Sequence, residues 1–229
     1  MNVDIPEIKT YFMSTDDNGN KNEFRLPDPY EVGYWRARTQ RTFYIDYEID
    51  SQTGTDKEIL FLSKTIIEMN VEEKDTPKEE LKPITIYIHS LGGEIDVSLN
   101  LADIMIASRI PIITVGMGNV MSAGFLIFAA GTRRYVFEHT NMMIHSGSAS
   151  LSGTAEQLAA AQSNYKQLLD QMKAYILNRT EIPEKVFKKN QAKDWYLNLD
   201  EIQEYNVANV ATITIIVDNM LITPIKLGV

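Results

Sequence analysis

The stretch from Ile84 to Gly116 constrains this chain more than any other. ITIYIHS at 84–90 is a β-rich run that ends in a Gly92-Gly93 turn. A helical spacing of apolar residues follows from about Glu94 to Ser108, and Pro111 then precedes a second apolar run, IITVG at 112–116. Strand, helix and strand in that order build a parallel sheet, so the fold is expected to be α/β. The theme continues downstream, where Asn119 to Ala130 suits a short buried helix and Tyr135-Val136 and Met142 to Ile144 suit further short strands. Upstream, RTFYIDYEI from Arg41 reads as a strand. Lys57 to Val71 reads as a helix, with apolar positions at Ile59, Leu60, Leu62, Ile66, Ile67 and Met69.

A chain of 229 residues fits one main core with appendages. Residues 1–40 carry Asp-Asp-Asn-Gly at 16–19 and prolines at 27 and 29, show little periodicity, and read as an arm or loop of unassigned role. The domain is expected over 41–214, with an unassigned tail at 215–229. The N-terminus lacks a basic segment followed by an apolar run, so no secretory signal is expected. The most apolar stretch, Val120 to Ala130, is broken by Ser122 and Gly124 and reaches about half of the ~20 residues a membrane span needs. A formal net charge of -9 speaks against nucleic acid and anionic membrane as partners, since both require clustered Lys and Arg. The chain has no cysteine, which removes disulfides, thiolate metal sites and a cysteine nucleophile and fits a cytoplasmic protein. Gly92-Gly93 followed by Glu94 lacks the third glycine and the lysine of nucleotide-binding loops, so nucleotide binding is not expected; no other cofactor and no metal is expected either.

One helix stands apart. Thr154 and Gln157 have the spacing of a capping box, and Leu158, Ala161, Tyr165, Leu168, Met172 and Tyr175 continue at intervals of three and four. The helix should run over about 154–178, before Pro183, with a stripe that packs on its own core or on a partner subunit.

Three histidines narrow the search for a proton shuttle at neutral pH. His139 sits in the polar turn EHTN and reads as a solvated loop residue. His89 ends a strand before Gly-Gly, and His145 ends the apolar run MMI and opens a small-residue loop from Ser146 to Gly153. Strand ends are where sites form in α/β sheets. The nucleophile candidate is Ser122 in GMGNVMSAGF, where glycines permit a tight passage from strand to helix. Val120 occupies the place of the first glycine of G-x-S-x-G, so this motif by itself equally describes a small-residue packing site. HSLGG at 89–93 offers backbone amides free of side-chain obstruction, or simply a turn.

Taken together, HSLGG at 89–93, GNVMSAGF at 118–125, MMIHSG at 142–147 and KDWYLNLDEIQEYNVAN at 193–209 resemble the successive signatures of the Clp peptidase family. Ser122 follows Gly92 by 30 residues, His145 follows Ser122 by 23 and Asp194 follows His145 by 49, the family's register without insertion. The resemblance implies a Clp and crotonase-like superhelix of repeated β-β-α units with the 154–178 helix as a protruding handle. It implies Ser122 as nucleophile, His145 as general base, Asp194 as its orienting carboxylate, and the backbone amides of Gly93 and Ala123 as the oxyanion hole. It further implies a homo-oligomer of two stacked rings that hydrolyses unfolded polypeptides delivered by a ring-shaped ATPase. Departures are local: the family's Asn-Ser-Pro-Gly-Gly is His-Ser-Leu-Gly-Gly here, its Met after the nucleophile is Ala123, and its Gln-Pro after the histidine is Ser146-Gly147. Two alternatives remain at this point, a catalytically silent ring subunit and a crotonase-type acyl-CoA enzyme. The intact Ser-His-Asp set speaks against the first, and the second does not need it in this register.

Overall fold

A computed structural model describes residues 11–15, 21–25, 29–50 and 55–210. The chain divides into two compact units, Met1–Arg41 and Thr42–Val229. In the first, β1 (Tyr11–Thr15) and β2 (Lys21–Arg25) pair antiparallel, Tyr11 opposite Arg25 and Thr15 opposite Lys21, and α1 spans Pro29–Gln40. The segment expected as an arm or loop thus contains a hairpin and a helix. Two five-residue strands are too short to show periodicity against a mixed sequence, and the clearer signal was Asn-Gly between them. The tail at 215–229 lies outside the described residues.

The second unit is α/β with a mainly parallel sheet. Its elements are β3 (Thr42–Ile45), α2 (Thr55–Glu72), β4 (Ile84–Ser90), α3 (Ile95–Ala107), β5 (Ile112–Met121), α4 (Ala123–Ala129), β6 (Arg133–Val136), β7 (Asn141–Ile144), α5 (Ala155–Arg179), α6 (Glu184–Asn190), β8 (Trp195–Leu197), α7 (Leu199–Glu204) and β9 (Asn209–Val210). Among the described residues the sheet runs β3-β4-β5-β6-β9, with β7 on β5 and β8 on β7. Every pairing is parallel except β7 with β8.

The continuous burial of β4 from Ile84 to Ile88 follows from cover on both faces of a parallel sheet. On one face Tyr87, Ile113, Val115 and Tyr135 cluster, with Met117 and Phe137 packed against them. The helical layer includes α4, whose seven residues are all buried and apolar or glycine, as a helix without a polar face must be. Phe125 and Phe128 are fully buried there, each contributing about 2 kcal/mol of apolar transfer energy.

β5 departs from expectation. The strand was expected to stop at Gly116 and a helix to begin at Asn119, but β5 continues to Met121 and α4 starts at Ala123. Residues Asn119 to Met121 are claimed by pairing with Asn141 to Met143, a long-range contact that glycine-rich local sequence cannot announce.

α5 matches its expected span and its capping box: Gln157 N–H donates to Thr154 Oγ1 at 3.3 Å and Thr154 N–H to Gln157 Oε1 at 2.9 Å. Its apolar stripe is divided. Met172 and Ile176 are buried in the chain's own core, whereas residues 151–160 are all exposed. The C-terminal half is tied to α4, where Tyr175 donates to Leu126 O at 2.8 Å. Arg179 donates to the carbonyls of Ala129, Ala130 and Gly131 at 2.9, 3.2 and 3.0 Å. A guanidinium on the orphan carbonyls at the end of α4 satisfies acceptors that the helix leaves open. Burial raises the Tyr175 phenol far above its ordinary range, keeping it a donor. Among the described residues no helix is long and apolar enough to cross a membrane.

Candidate active site

Three adjacent strand ends bring Ser122, His145 and Asp194 together. Met121, the last residue of β5, lies beside Met143 of β7, and Ser122 N–H donates to Met143 O at 2.9 Å. β7 and β8 pair with Ile144 opposite Trp195, so the next positions outward on the two strands are His145 and Asp194. A separation of 49 residues in sequence thereby becomes a cross-strand neighbourhood. His145 Nε2 lies 2.8 Å from Ser122 Oγ, and His145 Nδ1 lies 3.1 Å from Asp194 Oδ1. The histidine side chain is 26% exposed and the aspartate 58%.

Ser122 caps α4 with φ 52° and ψ −121°, a conformation that a side-chain-bearing residue rarely adopts. The turn from β5 into α4 is therefore sharp and strained, and it lifts the hydroxyl clear of the helix, as a nucleophile elbow does. Its buried follower, α4, is braced at the far end by Tyr175 and Arg179.

The Gly92-Gly93 turn packs directly against this elbow. A Cβ on Gly92 would sit 2.6 Å from Ser122 Cβ and 3.1 Å from Ala123 N. Gly93 has φ 145° and its absent Cβ would overlap the Ile49 carbonyl, so both positions require glycine. The flanking residues hold Gly93 there, since Ile49 N–H donates to Gly92 O at 2.8 Å and Glu94 N–H to Ile49 O at 2.7 Å. Among the described residues no acceptor pairs with the N–H of Gly93 or Ala123. Two unengaged amides beside the Ser122 hydroxyl can receive a negative charge that develops next to it.

Sequence reasoning missed the supports. Ser90 Oγ donates to Tyr47 O at 2.7 Å and accepts Gly92 N–H at 3.1 Å, anchoring the glycine turn. Ser146 donates to Gln191 O twice, from N at 2.9 Å and from Oγ at 2.6 Å, binding the loop after His145 to the loop before Asp194. Tyr165 of α5 donates to Ser146 O at 3.2 Å. Ser90 ends β4, Ser146 lies in a loop and Tyr165 lies within α5, and nothing local distinguishes any of them as a support. His139 is exposed and lies apart from the site, as expected; His89 sits one strand away against β5.

Ser122 and His145 open on a cleft of about 380 Å³. Leu91, Ile95, Tyr165 and Leu168 form apolar walls, and Glu94 and Asp96 add carboxylates. The Gly92-Gly93 turn, the start of α3, the loop after His145 and the middle of α5 share this lining.

The family model for Clp protease matches residues 56–213, well over half of the chain. The chain is 24% identical over 180 residues to the ATP-dependent Clp protease proteolytic subunit of Deinococcus radiodurans, covering 78% of this chain and 82% of that protein. It is 27% identical over 205 residues to the ATP-dependent Clp protease proteolytic subunit 2 of Thermobifida fusca, covering 88% and 91% respectively. The proteolytic subunit 2 of Corynebacterium diphtheriae is 24% identical over 180 residues, covering 77% of this chain and 84% of that protein.

Proposed function

The chain belongs to the Clp protease family, and from that premise we propose that it is a serine endopeptidase subunit with Ser122, His145 and Asp194 as its catalytic set. The observation that carries the reading is the His145 ring, whose Nε2 lies 2.8 Å from Ser122 Oγ while Nδ1 lies 3.1 Å from Asp194 Oδ1. With the ring proton on Nδ1 and directed at the carboxylate, Nε2 is free to accept the serine proton.

In the first step Ser122 Oγ bonds to the carbonyl carbon of the peptide and its proton passes to His145 Nε2. Asp194 stabilises the imidazolium through its Nδ1 hydrogen bond. The carbonyl π pair moves to oxygen, where the N–H groups of Gly93 and Ala123 receive it. Collapse of the tetrahedral species breaks the C–N bond, and His145 returns its proton to the departing amine. Water then attacks the acyl-enzyme by the same route and restores Ser122.

An endopeptidase with little sequence selectivity must be kept from folded proteins. Family membership supports a ring-forming assembly, proposed as two stacked rings that enclose the sites. The relatives named as ATP-dependent support a partner ATPase that supplies unfolded polypeptide. The exposed N-terminal part of α5 is the proposed handle between rings, and residues 1–40 are left without a role in this scheme.

The test is Ser122→Ala. The variant should assemble as the parent does, lose reaction with a fluorophosphonate probe and lose cleavage of a short fluorogenic peptide. Undiminished turnover in Ser122→Ala would remove the assignment.

A further inference from the structure

The proposed chemistry makes no use of His89, which lies on the strand beside β5. β4 and β5 are in register up to Ile88 and Gly116 and again at Ser90 and Val120. Between those pairs a single residue of β4, His89, faces three residues of β5, Met117, Gly118 and Asn119. β5 therefore bulges, and a bulge of this kind redirects the strand beyond it.

The imidazole fills the bulge. Asn119 N–H donates to His89 Nδ1 at 3.1 Å, and Met117 O lies 3.0 Å from the same nitrogen. Gly118 has φ 64°, and a Cβ on it would overlap the ring, so the seat of the imidazole requires glycine at 118. Nδ1 offers one position and cannot both accept from Asn119 and donate to Met117. The Asn119 amide can only donate and the Met117 carbonyl can only accept, so the two contacts belong to two tautomers; the one that accepts from Asn119 carries its proton on Nε2, on the exposed side of the ring.

The place of the bulge matters. Before it, Ile113 to Gly116 pair with Arg133 to Val136 of β6; after it, Asn119 to Met121 pair with Asn141 to Met143 of β7. β5 changes partner across the bulge, and the segment beyond it ends in Ser122 while its new partner ends just before His145. We infer that His89 is a positioning residue: by accepting the Asn119 amide at Nδ1 it fixes the β5 bulge, and with it the register in which Ser122 meets His145. The catalytic consequence rests on the serine peptidase reading; the hold on the bulge does not.

His89→Leu keeps bulk and removes the acceptor, whereas His89→Asn can place its Oδ1 where Nδ1 stands. With the acceptor gone, Ser122 labelling by a fluorophosphonate probe should slow by on the order of tenfold or more. Turnover of a short fluorogenic peptide should fall mainly in kcat, with KM within about twofold. Backbone hydrogen exchange over 117–121 should quicken in the same variant. His89→Asn should keep labelling and exchange near the parent values. If His89→Leu does not fold, His89→Lys, also without an acceptor and at an exposed position, replaces it. Parent-like labelling and exchange in the leucine or lysine variant, or equal impairment in His89→Asn, would overturn the inference. A parent protein that fails to label would overturn the peptidase reading and the catalytic half with it, while exchange would still decide whether His89 holds the bulge.

Discussion

Gly92 packs so closely on Ser122 that a methyl group on the glycine would lie 2.6 Å from Ser122 Cβ and 2.9 Å from Met121 O. Nothing larger than hydrogen fits at Gly92 between the glycine turn and the serine elbow, and the proposal that the Gly93 amide serves Ser122 as an oxyanion donor rests on this closeness. Gly93→Ala is predicted to push the turn away, because its Cβ overlaps the Ile49 carbonyl and φ 145° disfavours any side chain. Fluorophosphonate labelling of Ser122 should drop by on the order of a hundredfold, the usual cost of losing an oxyanion donor. Labelling at the parent rate would exclude the Gly93 amide from that role.

Asp194 stands 3.1 Å from His145 Nδ1 yet is 58% exposed, so its value lies in orientation more than in a buried charge. Asp194→Asn is expected to lower kcat for a fluorogenic peptide by about three to four orders of magnitude, because an amide donor facing Nδ1 favours the tautomer with the proton on Nε2. Circular dichroism and thermal midpoint should stay close to the parent. A loss smaller than tenfold would mean that another group orients the ring.

The division of α5 separates two effects that a uniform interface stripe would merge. Met172 is 5% exposed, so Met172→Ala should cost about 2–5 kcal/mol of subunit stability by opening a cavity. Leu158 is 36% exposed, and Leu158→Glu should leave the subunit fold intact while lowering the assembled mass measured by light scattering. An unchanged mass in Leu158→Glu would remove the N-terminal half of the helix from the interface.

Glu184 clasps Lys173 of α5 at 2.7 Å and Lys188 at 3.0 Å, and the hydrogen bonds from these ammonium groups hold its carboxyl down at about 2. A carboxyl whose native pKa is depressed binds fewer protons than its unfolded counterpart in the window between the two values. The stabilisation is therefore present above the ordinary glutamate range and lost as pH falls toward 2. The difference in denaturation midpoint between parent and Glu184→Gln should be constant above about pH 5.5 and vanish near pH 2. Exposure makes it small and sensitive to salt. A difference that grows on acidification would contradict the clasp.

The legible parts of this molecule were those written locally. The apolar runs of β4 and the first half of β5, the helical spacing of α3, and the Thr154 capping box all lie within a few residues of the features that define them. The end of β5 was read as helix because its strand character comes from β7, some twenty residues away. The capping box at Asn198 and Glu201 was as local as that of Thr154, yet it sits inside the segment that also carried the Asp194 signature and was passed over. The hairpin and helix within residues 11–40 were missed for want of periodicity.

The sequence by itself determined the α/β class, the lack of cysteine chemistry, and the family resemblance in whose register Ser122, His145 and Asp194 fall, since residue types and chain distances are already complete in it. Only the tertiary structure decided what those residues do to one another. The strain at Ser122, the two unengaged amides, the tie from Ser146 to Gln191 and the seat of His89 in the β5 bulge all depend on backbone from distant segments meeting within about 3 Å. Hydrogen bonds and close packing are fixed at that range, and chain separation carries no information about them until the sheet has formed.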